Sequence, residues 1–132
     1  MRYWPEVVKT VLIVEDDVDL RRMFRTALAL AGYAVIESGD GLHALHLLDG
    51  GAPPDAVILD LGLPIISGVA VLQEIAAHAH TRHIPVIIVT GEPGDHELLQ
   101  AACVLRKPVT PDKLLQVVTS CIAAGERGSA LV

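Results

Sequence analysis

The 132-residue sequence predicts an α/β domain: one open sheet of five parallel strands with helices on both faces. Three observations carry this. Short apolar runs alternate five times with amphipathic stretches. Most of those runs are continuous rather than alternating, as parallel strands are when both faces are buried. The chain is 52% hydrophobic but only 3% aromatic, so its core must be built from Val, Leu, Ile and Ala. One domain of this size hides roughly two-thirds of its unfolded surface and needs no disulfide to hold it.

The strands are expected at Thr10 to Val14, Ala34 to Glu37, Ala56 to Leu59, Pro85 to Val89 and, more weakly, Cys103 to Arg106. After the first strand, apolar residues recur with helical period at Leu20, Met23, Phe24, Ala27, Leu28 and Ala31, and Gly32 supplies the stop. The second helix carries Leu42, Leu45 and Leu48 behind an Asp40 N-cap. The third carries Val69, Leu72, Ile75 and Ala76 behind Ser67. The last opens with Thr110 and Pro111, a cap and a first-turn proline, and carries Leu114, Val117, Val118, Cys121 and Ile122. The fourth is cramped. Residues 91 to 106, sixteen in all, must hold two loops, a helix and a strand, which leaves room for about two helical turns with Leu98 and Leu99 inward.

Residues 1–8 read as an N-terminal extension, 9–124 as the domain and 125–132 as a flexible C-terminal tail, with fraying expected from Ala123. Trp4 and Pro5 either pack on the domain or extend into solvent. No repeat or low-complexity segment is present. A net charge of -6 argues against a nucleic-acid surface spread over the whole domain. No apolar run reaches membrane-spanning length, and Met1 to Thr10 lacks the apolar stretch of a signal peptide. Cys103 and Cys121 fall at core-facing positions, so a reducing cytoplasm is the simple expectation.

In open parallel sheets, ligands sit beyond the carboxyl ends of the strands. There the first strand ends in Glu15, Asp16 and Asp17, the third in Asp60, the fourth in Thr90 and the fifth in Lys107 before Pro108. Clustered carboxylates repel unless a cation compensates. The fitting cation is Mg²⁺, with Mn²⁺ as the alternative hard ion. A carboxylate can also be a nucleophile and form an aspartyl phosphate. Asp60, alone at the end of a central strand, is the candidate, with the Thr90 hydroxyl and the Lys107 ammonium placed to meet phosphoryl oxygens.

The motifs Val11-Leu-Ile-Val-Glu15-Asp16-Asp17, Val57-Ile-Leu-Asp60-Leu-Gly-Leu-Pro64, Ser67-Gly68, Val86-Ile-Ile-Val-Thr90-Gly91 and Lys107-Pro108 follow in order. Over about Lys9 to Ala123 the chain resembles the receiver domain of two-component response regulators. The resemblance implies a flavodoxin-like doubly wound sheet in the order 2-1-3-4-5. It implies that Glu15 and Asp16 hold Mg²⁺ with Asp60 and the backbone carbonyl of Gly62, and that Asp60 accepts the phosphoryl group. Thr90 then reads that group, Gly91 leaves it space, Lys107 pairs with it, and the Lys107–Pro108 bond is cis. The implied partners are a sensor histidine kinase or phosphotransfer protein and an output protein of unknown identity. Homodimerisation is a further option, and no direct contact with DNA or membrane is expected. The resemblance further implies that Gly62 and Glu92 flank the path of the hydrolytic water and tune phosphate lifetime.

The sequence departs from the family at two adjoining places. Most receivers carry an aromatic residue three positions before the lysine, which swings inward on phosphorylation; here Val104 stands there. The 91–106 segment is also more than one helical turn shorter than usual. The remodelled segment itself is therefore the candidate bistable element.

Blander readings accompany these. Asp17 fits an N-cap as well as a metal role. His78, His80 and His83 cluster, and His43 and His46 lie close on one helix, but their spacing is irregular and no Cys complements it as in a zinc site. The cysteines read as core residues. Arg21, Arg22 and Arg25 form a basic edge, either solvated or used for docking, as the family uses that helix. Two alternatives to a single-domain regulator stay open: a non-switching interaction module on the receiver fold, and a receiver fragment of a hybrid kinase or larger regulator. A phosphatase of the haloacid-dehalogenase kind would need a second acid two residues after Asp60, where Gly62 stands. No independent substrate turnover is expected, only self-phosphorylation from a donor.

Overall fold

A computed structural model describes residues 7–94, 99 and 101–130, with side chains described as far as Glu126. The elements run β1 (Thr10–Val14), α1 (Val18–Leu30), β2 (Ala34–Ser38), α2 (Gly41–Asp49), β3 (Ala56–Leu59), α3 (Gly68–Ala77), β4 (Val86–Thr90), β5 (Cys103–Arg106) and α4 (Pro111–Ala130). All strands are parallel, in the order β2-β1-β3-β4-β5. This is the flavodoxin-like arrangement implied by the resemblance. β1 and β3 lie at its centre, so their carboxyl ends, Glu15 and Asp60, emerge side by side.

Period-two alternation divides the strand side chains between two cores. Leu12, Val14, Val57, Leu59, Val86 and Ile88 pack with α2 and α3 through Ala44, Leu48, Val71, Leu72 and Ile75. Val11, Ile13, Ile58, Ile87, Val89 and Leu105 pack with α1 and α4 through Phe24, Leu28, Leu114, Val118 and Ile122. Phe24 is fully buried, the one aromatic among the buried core residues described, and Tyr33 packs against the same core from its edge. β2 departs from a run buried on both faces: as an edge strand it leaves Ala34 and Ile36 exposed.

The caps fall where the sequence places them. Asp17 Oδ1 accepts from Leu20 N at 3.0 Å, Asp40 Oδ1 from His43 N at 2.7 Å and Ser67 Oγ from Ala70 N at 3.2 Å. Thr110 Oγ1 accepts from Lys113 N at 3.2 Å. Gly32 has φ +96°, the left-handed conformation that ends α1. β4 begins and ends one residue later than expected, because Thr90 still pairs with β5 and its carbonyl accepts from Lys107 N at 2.9 Å.

The short fourth helix and Leu98 fall largely on residues 95–98 and 100, outside the described residues, as do Trp4 and Pro5. The described part of that segment, 91–94, 99, 101 and 102, is not helical. Leu99 does pack on the α2–α3 side of the core. α4 continues to Ala130, past the point where fraying is expected. Residues 123–126 contain two alanines and a glutamate, good helix formers, and Glu126 pairs with Lys9 next to β1.

Candidate functional site

β1 and β3 deliver their terminal carboxylates into the groove above the sheet. Glu15 is 1% and Asp60 6% exposed, whereas Asp16 faces solvent. Glu15, Asp16 and Asp60 each place an oxygen within 4.8 Å of the others, and they are the one such metal-competent group among the described residues. Thr90, at the end of β4, is fully buried.

Lys107 bridges the two buried acids. Its Nζ lies 3.0 Å from Asp60 Oδ2, as a hydrogen bond, and 2.7 Å from Glu15 Oε1. One ammonium thus pairs with both buried carboxylates. Glu15 Oε2 accepts from Asp17 N at 3.2 Å, and Asp60 Oδ1 accepts from Gly62 N at 3.1 Å. Burial, reinforced by neighbouring Asp60, pushes the Glu15 carboxyl up to about 7 even against the attraction of Lys107. Burial alone would lower the Lys107 ammonium, but Glu15 and Asp60 outweigh it and hold its pKa above the ordinary value. The Lys107–Pro108 peptide is cis.

A hard divalent cation fits this donor set. Three carboxylates, two of them buried, bring an oxygen each within sharing distance of one ion, and one lysine ammonium does not neutralise all three.

Glycines shape the surroundings. A Cβ on Gly68 would fall 2.1 Å from the Asp60 carbonyl oxygen and 2.5 Å from Leu61 Cα, so α3 begins hard against the Asp60 backbone. At Gly91 the nearest atoms to a Cβ are those of Lys107 at 3.9 Å, which leaves open space beside Thr90.

The structure thus brings together Glu15, Asp16, Asp60, Thr90 and Lys107, with Gly62 bonded to the Asp60 carboxylate. Asp17 is the α1 cap. Two features escape a reading of the sequence, the engagement of the α1 arginines and that of Arg106. Arg21 donates through Nη1 to the Glu15 carbonyl at 2.7 Å, and its Nε lies 3.4 Å from Glu37 Oε1. Arg25 also meets Glu37, at 3.4 Å, so two of the three arginines on the basic edge are engaged within the fold. Glu92, singled out with Gly62 from the sequence, places Oε1 2.7 Å from where a Gly62 Cβ would stand. Arg106 donates to the Glu92 carbonyl at 2.7 Å and to that of Gly94, tying β5 to the loop after β4.

A five-stranded 2-1-3-4-5 sheet with acids at the ends of β1 and β3, and Thr90 and Lys107 beside them, defines the receiver class. Residues 11–119 match the family model of the response regulator receiver domain, and the chain belongs to that family. Among curated proteins it is similar to the polar-differentiation response regulator DivK of Brucella ovis, 34% identical over 119 residues that cover 86% of this chain and 96% of DivK. Among solved structures it is similar to a response regulator from Chloroflexus aurantiacus, with TM-score 0.81 and 31% identity over 89% of this chain and 99% of that one. It is also similar to the receiver domain of sensor histidine kinase PA1611 from Pseudomonas aeruginosa, with TM-score 0.81 and 26% identity over 89% and 99%. That structure holds a magnesium ion in its active-site cleft. Among the described residues, no helix is long and apolar enough to cross a membrane.

Proposed function

We propose that this chain accepts a phosphoryl group on Asp60 from a phosphohistidine of a sensor histidine kinase or phosphotransfer protein, and signals through protein contact. The observation that carries the proposal is the Asp60 carboxylate, nearly buried, fixed by Gly62 N and Lys107 Nζ, and within metal-sharing distance of Glu15 and Asp16. An Asp60 oxygen attacks phosphorus. The phosphorus–nitrogen bond breaks and the leaving imidazole keeps the electron pair; it departs neutral when its other ring nitrogen carries a proton, and otherwise takes up one proton from solvent. Lys107 orients the nucleophile and pairs with the incoming oxygens. Thr90 Oγ1 accepts from Glu92 N at 3.0 Å, so its own proton serves a phosphoryl oxygen. Glu15, Asp16, Asp60 and the Gly62 carbonyl would hold Mg²⁺ or Mn²⁺, which supplies positive charge against the phosphoryl oxygens when bound.

Gly62 leaves no second acid two residues after Asp60, so uptake is stoichiometric rather than a turnover of phosphate esters. Incubation with phosphoramidate and, separately, with p-nitrophenyl phosphate tests this. One phosphoryl group per chain from the first and no multiple-turnover nitrophenol from the second is the expected pattern. Sustained nitrophenol release points to a phosphatase. Output through a partner protein in the cytoplasm, without direct DNA contact by this chain, completes the proposal; a homodimer is one form that output could take.

A second reading, a non-switching interaction module, is favoured by Val104. It packs on the α2–α3 side of the core and has no ring to swing.

A further inference from the structure

We infer that Arg21 is a positioning residue for the acidic site, holding the β1–α1 turn in the shape that presents Glu15 and Asp16 to a divalent cation, an inference that rests on the metal-binding reading above. Arg21 lies in the first turn of α1, and its guanidinium reaches two other elements. Nη1 donates to the Glu15 carbonyl at 2.7 Å, the short length of a charge-assisted bond. Nε lies 3.4 Å from Glu37 Oε1 in β2. Gly39 makes room for this: a Cβ there would stand 3.2 Å from Arg21 Nη1. The same turn is tied to α1 a second time, because Asp17 N donates to Glu15 Oε2 while the Asp17 carboxylate caps Leu20 N. Residues 15–17 are thus held from the cap and from the guanidinium together.

Without that donor the Glu15 carbonyl loses a strong bond in a residue only 1% exposed, and the turn, left with the cap alone, shifts. Both carboxylates move with it. Partners that orient metal ligands commonly govern affinity about 10–100-fold. A lysine retains the charge but offers a single ammonium that cannot span both Glu15 and Glu37 as a fork does. Arg25 supplies the internal control. It sits on the same helix and meets the same Glu37 carboxylate at 3.4 Å, and among the described residues it makes no bond to the turn.

The test is titration of the full chain with Mn²⁺, reading the free ion by electron paramagnetic resonance, for wild type, Arg21→Lys, Arg25→Lys and Glu37→Gln. Metal-free thermal unfolding in EDTA is followed in parallel, since a merely structural role moves that midpoint and leaves affinity alone. The expected result is roughly tenfold or more weaker binding in Arg21→Lys and wild-type affinity in Arg25→Lys. Unchanged affinity in Arg21→Lys overturns the inference, as does an equal loss in Arg25→Lys, which would reflect only the field of the helix. Should Arg21→Lys fail to fold, Glu37→Gln decides: it keeps the guanidinium but weakens its second anchor, so wild-type affinity there overturns the inference. Absence of Mn²⁺ binding by the wild type overturns the metal reading itself, and is distinct from a wild type that binds beside an unaffected Arg21→Lys.

Discussion

Replacing Gly68 by alanine puts one methyl group where the backbone leaves no room. The new Cβ would stand 2.1 Å from the Asp60 carbonyl oxygen, 2.5 Å from Leu61 Cα and 2.9 Å from the Asp60 carbonyl carbon. These atoms belong to the backbone after β3, and Gly68 N donates to the Leu61 carbonyl at 3.0 Å, so neither side can yield without moving the other. Overpacking of a core costs about 1–3 kcal/mol, and a clash with backbone on both sides belongs at the upper end, roughly 3 kcal/mol. At about 4 °C per kcal/mol for a domain of this size, the unfolding midpoint should fall by ~12 °C. Thermal unfolding followed by circular dichroism reads this directly. Gly50→Ala is the control: φ is -119° and nothing lies within 4 Å of its Cβ, so stability should hold or rise by about 0.4–1 kcal/mol. A Gly68→Ala midpoint equal to wild type would refute the packing on which the placement of Asp60 rests.

Other consequences follow from the same geometry. Glu15 ionises near 4.5 when unfolded but near 7 when folded, so the folded state binds more protons between those values; metal-free stability should fall as pH rises through that window, by at most about 3 kcal/mol. Urea unfolding in EDTA at pH 5 and pH 8 measures the slope, Glu15→Gln should flatten it, and a wild type more stable at pH 8 contradicts the assignment. Ile65 is 76% exposed and holds φ +70°, which costs a β-branched residue about 1–2 kcal/mol. Ile65→Asn should therefore raise the midpoint by ~4 °C, and a fall would show that the side chain contributes more than its exposure suggests. If the β4–β5 segment is the switch, fluoroberyllate with Mg²⁺ should alter amide exchange at residues 92–94, which Arg106 clamps. Unchanged exchange there favours the non-switching module.

Much of this molecule is written locally in its sequence. Buried parallel strands are unbroken apolar runs, and Asp17, Asp40, Ser67 and Thr110 cap the helices that follow them. The acidic site was legible for the same reason: its residues sit immediately after strands, where an open sheet must present them. What was not legible depends on contacts across the chain. Nothing near Arg21 in sequence shows that its guanidinium reaches the Glu15 carbonyl and Glu37. Nor does the pattern of β2 distinguish an edge strand from a central one. Arg106 looks like a strand terminus until the loop after β4 is seen folded over it.

The proposed chemistry is phosphoryl transfer to Asp60 with a divalent cation in the acidic site. Intact-protein mass after incubation with acetyl phosphate and Mg²⁺, beside Asp60→Asn and an EDTA control, tests it most directly. One phosphoryl adduct on the wild type, absent from Asp60→Asn and from the EDTA sample, is the predicted result. No adduct on a wild type shown to bind Mg²⁺, or an equal adduct on Asp60→Asn, would contradict it.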